Sequence, residues 1–385
     1  MKKYFLAVAS FFIYSHISLG QVYPGQMDST FVPVRSHHYD PELTFDFCVN
    51  EPAWNNQAGI HSAFGSTDRL YFRKEVPVNH NNDLSSSYST TVWRGERANA
   101  QILVWSSEAL EQVRVSTQDL RSAEGNIIPK DRITFELVRY VLSNYPYAEK
   151  KAICGESPYK SGFLMPDRFE TLDRFDLPSQ TTRPVWMMVD VPRGTAPGTY
   201  KGQVEVRAKG KAPQLLNLEI VVQKQLLPYP KDWKYRLDLW QNPWAVAWYN
   251  HVEPWSPEHK MLLKQHLKHY ADAGGTYITT YGVHSPWSDN SYMIEGGMIE
   301  WIKKADGTWA FDYKIFDEYV ELAMECGIDE AITLYTPIPW GFRHRYKDEA
   351  TGDYSYINWA PSSEEFKKMW NIFLTDFKFH LEAKS

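Results

Sequence analysis

The chain has 385 residues, a formal net charge of −6 and a composition that is 43% hydrophobic and 23% charged. No dense Lys/Arg block occurs, so nucleic acid and anionic membrane surfaces are excluded as partners on electrostatic grounds. The three cysteines, Cys48, Cys154 and Cys326, are too few and too scattered for a disulfide framework or a zinc ribbon. A Cys48–Cys154 bridge is compatible with an oxidising compartment, but spacing alone does not establish it.

The predicted elements begin with an export signal over residues 1–20. Lys2 and Lys3 precede an apolar run from Tyr4 to Ile17, and Ser18-Leu19-Gly20 offers small residues for cleavage. The run is shorter than the roughly 20 apolar residues that span a bilayer. Gln21, not Cys, follows Gly20, so a lipid anchor at that point is not expected. A periplasmic or secreted protein follows.

Residues 21–228 read as an antiparallel β-sandwich domain. Tyr200, Gly202, Val204, Val206 and Ala208 alternate with Lys201, Gln203, Glu205 and Arg207, and Leu216, Leu218, Ile220 and Val222 repeat the pattern. Each set predicts a strand with one wet face. Pro197-Gly198 fits a type II turn before the first of them. Gln101–Trp105, Val113–Thr117, Arg132–Leu142 and Trp186–Val191 predict further strands. No clustered acid, His or Cys set appears there, so Asp119 and Asp190 are expected to be ordinary turn or strand residues.

Pro228 and Pro230 stiffen a boundary, and residues 229–385 change period. Leu237–Gln241 predicts a short strand. Ser256-Pro257-Glu258 opens a helix that Gly274-Gly275 closes. Thr276–Tyr281 predicts a second strand, Tyr313–Cys326 a helix stopped by Gly327, and Ala331–Thr336 a third strand. A last helix, capped by Ser362-Ser363-Glu364-Glu365, runs to His380 or beyond. This is the parallel βα grammar of an incomplete (β/α) TIM-type barrel with about three units. The chain as a whole is expected to be multidomain, β followed by α/β, with long aromatic loops after strands two and three.

The 15 Trp, 24 Tyr and 19 Phe make the chain 15% aromatic. Such rings serve ordinary cores, and they also stack on the apolar faces of sugars. The binding candidates are Trp240, Gln241, Asn242, Tyr281, His284, Trp287, Tyr335 and Trp340, at or beyond the predicted strand C-termini, where barrel enzymes place their sites. Rings there can hold a pyranose and the amides can bind its hydroxyls. The other reading is that such rings are rim packing. His259, His266 and His269 share one helix without i, i+4 pairing and read as a solvated or semi-buried face, not a metal site. No Gly-rich phosphate loop or Gly-x-Ser-x-Gly elbow occurs, so no cofactor is expected.

Three runs carry a resemblance: Leu237-Asp238-Leu239-Trp240-Gln241-Asn242-Pro243-Trp244, Asp306-Gly307-Thr308-Trp309-Ala310-Phe311-Asp312-Tyr313 with Phe316-Asp317, and Tyr335-Thr336-Pro337-Ile338-Pro339-Trp340. With Pro184-Val185-Trp186 and Pro197-Gly198-Thr199-Tyr200-Lys201-Gly202 they resemble glycoside hydrolase family 123 over most of the chain. That resemblance implies an exo-β-N-acetylgalactosaminidase that uses the substrate's own acetamide as nucleophile and retains configuration. It also implies an adjacent Asp-Glu pair after the fourth barrel strand. Ser385 precedes any fourth strand, so no catalytic residue is assigned and the chain alone is expected to be an inactive fragment. Asp329-Glu330, before strand three, reads as a solvated turn on the stability face. Asp348-Glu349, in the loop after strand three, lies on the correct face but in an acid-rich, Gly-containing loop. The competing reading is a non-catalytic glycan-binding protein that uses the aromatic cleft. The expected partner is in either case a glycan or oligosaccharide; the oligomeric state is left open.

Overall fold

The computed structural model describes residues 51–78, 84–143, 163–171, 173–286 and 296–384. The export signal, Cys48, Cys154 and Trp287 lie outside these. The described residues form two compact units, 51–227 and 228–384.

The first unit is built from strands. In chain order they are β1 (His61–Gly65), β2 (Ser87–Arg94), β3 (Arg97–Ser106), β4 (Leu110–Thr117), β5 (Leu120–Arg121), β6 (Ile127–Ile128), β7 (Ile133–Ser143), β8 (Phe163–Thr171), β9 (Phe175–Leu177), β10 (Thr181–Asp190), β11 (Gly198–Arg207) and β12 (Gln214–Leu226). One sheet has the order β1-β3-β10-β7-β8; the other has the path β2-β12-β11-β4-β9, with β5 paired to β11 and to β6. Every pairing is antiparallel except β12 with β2.

Alternation explains the core. Leu216, Leu218, Ile220 and Val222 on β12 are buried, whereas Asn217 and Glu219 between them stay open to solvent. They join Val204 and Val206 of β11, and Ile102 and Met187 of the opposite sheet, in a single apolar cluster. Burying each such side chain contributes roughly 1.5–3 kcal/mol. Asp190 faces Arg97 across the β3–β10 ladder and pairs with it at 2.6 Å, and Asp119 accepts from the Lys130 N–H at 3.0 Å. The turn before β11 differs from the expected one. It lies at Arg193-Gly194, closed by Thr195 N–H to the Pro192 carbonyl at 3.0 Å, and Gly198 already begins the strand. The glycine there has a negative φ, so the turn needs no special residue and leaves no clear sequence signal.

The second unit contains α1 (Pro243–Asn250), α2 (Pro257–Asp272), β13 (Tyr277–Tyr281), β14 (Glu300–Lys303), β15 (Trp309–Asp312), α3 (Lys314–Glu325), β16 (Ala331–Tyr335), β17 (Arg343–Asp348), β18 (Tyr354–Asn358) and α4 (Glu364–Lys384). Helix α2 starts as its sequence predicts: the Ser256 hydroxyl accepts from the His259 N–H at 3.2 Å and Pro257 takes the first position. It ends at Gly274, whose φ of +89° favours glycine. Strands β13 and β16 run parallel, Tyr277 opposite Ala331 through Tyr281 opposite Tyr335.

Two expectations are corrected. Leu237–Gln241 is not a full strand: only Leu237 is bridged, in parallel, to Gly275, and α1 begins at Pro243. The Tyr270 hydroxyl occupies the backbone groups instead, 2.7 Å from the Leu237 carbonyl and accepting from the Leu239 N–H at 3.3 Å. Asn242 then caps α1, an element the sequence reading missed. The stretches after β13 and β16, expected as aromatic loops, contain two hairpins that join in one mixed sheet of order β15-β14-β17-β18, with β14 and β17 parallel. Gly307 and Gly352, at φ +85° and +81°, supply the tight turns of the two hairpins. Trp301 of β14 is buried in the middle of this unit, stacked on Phe373 of α4 at 4.8 Å and edge-on to Phe311 at 5.1 Å.

Candidate functional site: an aromatic face on a threonine-carboxylate clamp

The parallel pair β13–β16 fixes which side chains share a face. Tyr277, Thr279 and Tyr281 of one strand lie beside Ala331, Thr333 and Tyr335 of the other. The Asp238 carboxylate accepts from the Thr279 hydroxyl at 2.9 Å and from the Thr333 hydroxyl at 2.8 Å. It thereby ties the segment before α1 to both strands. Two residues on, the Trp240 ring meets the Tyr335 ring, centroids 4.9 Å apart and planes tilted by 48°.

Beside this pair the backbone turns into α1. The Tyr281 hydroxyl donates to the Gln241 carbonyl at 2.8 Å, and the Tyr319 hydroxyl donates to Gln241 Oε1 at 3.2 Å. Tyr281 is wholly buried and stacks on Trp244 at 5.3 Å, so it supports the face and does not line it. Trp240 is 62% exposed and Trp340 49%, the two most open rings among the described binding candidates. The Trp340 N–H donates to the Pro286 carbonyl at 2.9 Å, which ties the stretch after β16 to the stretch after β13.

Not all the predicted residues assemble. Trp240 and Tyr335 touch, and Gln241 and Tyr281 are bonded. Asn242 spends its side-chain oxygen on the Ala245 N–H at 3.3 Å as the helix cap. His284 sits against Gly297, and its buried Nδ1 has no hydrogen-bond partner among the described residues. Burial, with a smaller push from the Arg345 charge, lowers its pKa to about 4, so the imidazole is neutral at pH 7.

The sequence reading missed Asp238, Thr279, Thr333 and Tyr270, the residues that hold the face together. A signal existed, since Asp238 and Trp240 are two apart and extended backbone sends them to the same side.

The acidic dipeptides are occupied elsewhere. Glu330, at the start of β16, accepts from the Thr276 hydroxyl at 2.8 Å and the Tyr277 hydroxyl at 3.1 Å. Glu349 pairs with Lys304 at 2.8 Å, and Asp348 accepts from the Ala350 N–H at 3.0 Å. The Lys304 ammonium is the main reason the Glu349 carboxyl lies below its ordinary range. His259 is fully buried rather than solvated or semi-buried: Nδ1 accepts from the Trp255 N–H at 2.8 Å and Nε2 donates to the Pro243 carbonyl at 2.9 Å. A helix that must join α1 to its own first turn recruits the histidine as a strut. Among the described residues no group of His, Cys, Asp and Glu is arranged to hold a metal ion. Among them, too, no helix is long and apolar enough to cross a membrane.

Residues 64–208 match the family model of the glycoside hydrolase 123 N-terminal domain, and residues 240–385 that of the glycoside hydrolase 123 catalytic domain. The chain belongs to glycoside hydrolase family 123. A solved family 123 glycoside hydrolase from Clostridium perfringens, studied for glycolipid glycan hydrolysis, is similar at 26% identity with a TM-score of 0.75. The match covers 85% of this chain and 56% of that one, so this family 123 chain spans little more than half the length of that relative. A PapD-like domain of human CEP192 (12% identity, TM-score 0.23, 48% of this chain and 99% of that one) and the periplasmic chaperone SfaE (9%, 0.20, 37% and 58%) match more distantly and carry no argument. No curated protein matches. Family 123 membership makes the chain glycoside hydrolase-like.

Proposed function

We propose that the Trp240–Tyr335 face is the sugar platform of an exo-β-N-acetylgalactosaminidase-type protein, in which the substrate's acetamide is the nucleophile of a retaining reaction. The contact between those two rings, one of them 62% exposed, is the observation that carries the reading. In this reading the first unit is a supporting β-sandwich and the second the opening of a (β/α) barrel, with β13 and β16 as two of its strands. The substrate would be a terminal N-acetylhexosamine on a glycan, met in the periplasm or outside the cell; the clostridial relative is studied for glycolipid glycan hydrolysis.

Neither Asp-Glu dipeptide among the described residues reaches that face: one is bonded at the start of β16, the other in the β17–β18 turn. On this reading the described residues hold the sugar, and neither dipeptide supplies the hydrolytic chemistry. The same observation favours a second reading, a glycan-binding protein with no chemistry at all. Calorimetric titration of the purified chain with N-acetylgalactosamine, beside an assay on an aryl N-acetyl-β-galactosaminide, tests both. Saturable binding without aglycone release is expected. Absence of binding would remove the platform, and release of aglycone would remove the reading that neither dipeptide supplies the chemistry.

A further inference from the structure

The mixed sheet of the second unit ends in β18, and among the described residues no strand lies beyond it. Natural edge strands are ordinarily guarded by charge, proline, a bulge or a covering element. Strand β18 carries no such guard in its own sequence. Tyr354-Ser355-Tyr356-Ile357-Asn358 is uncharged, has neither Pro nor Gly, and pairs with β17 in unbroken register. Its tyrosines and isoleucine favour the extended chain.

The ladder decides which backbone groups are left over. The Asp348 N–H donates to the Asp353 carbonyl at 2.9 Å and the Trp359 N–H to the Phe342 carbonyl at 3.3 Å, one at each end of the hairpin. Antiparallel pairs alternate between bonded and unbonded, so Ser355 and Ile357 direct their N–H and C=O groups to β17. Those of Tyr354, Tyr356 and Asn358 point to the open side. All three residues are exposed, the tyrosines by 50% and 48%.

The side chains beside this edge are basic. Arg343, Arg345 and Lys347 alternate along β17 on the face that carries Tyr354 and Tyr356, while His344 and Tyr346 turn into the core. The Arg343 guanidinium lies 3.7 Å from the Tyr356 ring centroid, and that of Arg345 4.2 Å from the Tyr354 ring. The carboxylates of the same face are engaged. Glu300 of β14 accepts from the Tyr354 hydroxyl at 2.9 Å and approaches Arg345 at 3.7 Å, and Asp312 of β15 accepts from the Lys314 N–H at 2.9 Å. Arg343 and Lys347 have no carboxylate partner among the described residues, and both are exposed. A guanidinium stacked on a ring keeps its N–H fork free for a carboxylate.

We propose that β18 is a strand-addition site for an extended acidic segment of a partner polypeptide. The segment's backbone pairs with Tyr354, Tyr356 and Asn358, as in other cases where a peptide joins a sheet edge. Its carboxylates, on alternate residues and so on one face, meet Arg343 and Lys347. Charge complementarity selects this occupant. A second copy pairing β18 with β18 would set another row of cations on the same face, and like charges on neighbouring strands repel. The site does not depend on the sugar platform proposed above.

The test is hydrogen–deuterium exchange of the full chain over residues 354–358. The probe is a blocked peptide alternating Glu and Thr, with its Gln-Thr counterpart as the neutral control and polygalacturonate as an acidic glycan. The Glu-Thr peptide is expected to slow exchange in that segment, the Gln-Thr peptide to leave it unchanged, and the slowing to fade at high salt. Asn358→Pro removes one open-side N–H without removing a bond to β17. It should weaken Glu-Thr binding about fivefold, and unchanged affinity would overturn the strand pairing. Equal slowing by both peptides, or peptide binding that leaves residues 354–358 exchanging as before, also overturns the proposal. Polygalacturonate slowing the segment as strongly as the peptide would replace the partner with an acidic glycan. Self-association of the chain alone, with the segment already protected, would replace it with a second copy. Should Asn358→Pro not fold, Arg343→Gln combined with Lys347→Gln decides: affinity weakened about fivefold supports the site, and unchanged affinity overturns it.

Discussion

Thr279 and Thr333 stand directly opposite each other in the β13–β16 ladder, and their hydroxyls donate to the two oxygens of one carboxylate, that of Asp238. Thr279 is completely buried, so the carboxylate is what satisfies it. Asp238→Ala should therefore destabilise the second unit by about 2 kcal/mol, one buried hydroxyl left unmade plus a weaker, more solvated bond. Adding Thr279→Val should recover part of that loss, because removing both partners costs less than removing one. Urea midpoints for the two variants check this; an Asp238→Ala protein as stable as wild type would contradict the clamp.

Trp240 lies beside the clamp but is mostly solvent-exposed. Trp240→Ala should leave the unfolding midpoint nearly unchanged and weaken N-acetylgalactosamine binding by on the order of 1 kcal/mol. Calorimetry and thermal melts together separate the two effects. Equal affinity with a lowered melting temperature would show that the ring packs and does not bind.

Gly275 supports the same segment from below. A Cβ there would stand 2.3 Å from the Tyr270 ring, whose hydroxyl is bonded to Leu237 and Leu239. Gly275→Ala should cost about 1–3 kcal/mol by overpacking, and should speed amide hydrogen exchange at Leu239. Unchanged exchange at that amide would mean that Tyr270 does not hold the segment.

His344 makes the fold sensitive to acid. Its Nδ1–H donates to the Phe342 carbonyl at 3.2 Å and its Nε2 accepts from the Trp370 indole at 3.4 Å, so a second ring proton would face another donor. Burial lowers its pKa to about 4. The unfolded chain then takes up the proton first: stability is complete above about pH 6.5 and is lost as pH falls toward 4. At pH 5 this residue alone should cost roughly 2 kcal/mol. Urea titrations at pH 7 and 5 should show that gap narrowing in His344→Asn; an equal gap in both proteins would rule out His344 as its source.

Much of this architecture could be read in advance wherever the determinant was local. The alternation in β11 and β12 and the Ser256-Pro257 start of α2 are written in consecutive residues, and both were readable. Strands β14 and β17 each pair locally, with β15 and β18, but what joins the two hairpins is the parallel β14–β17 contact between separate stretches, and nothing local announces that neighbour. Trp240 and Tyr335 could each be named from the sequence, but their contact depends on the β13–β16 register and on the turn into α1. Asp238 was overlooked for a related reason: its partners are two threonines on separate strands, and each looks unremarkable alone.

The pairing of β14 with β17 has a consequence for how this family could be diversified. In many βα architectures each connecting stretch can be exchanged independently, which makes such scaffolds permissive for new specificities. Here the two connections share a ladder, with Ile302 beside Lys347 and Lys303 beside Asp348. They also surround a common tryptophan, Trp301. A graft at one connection would strip the other of its neighbour and open the aromatic cluster. The two stretches behave as a single module, to be transplanted together or left in place.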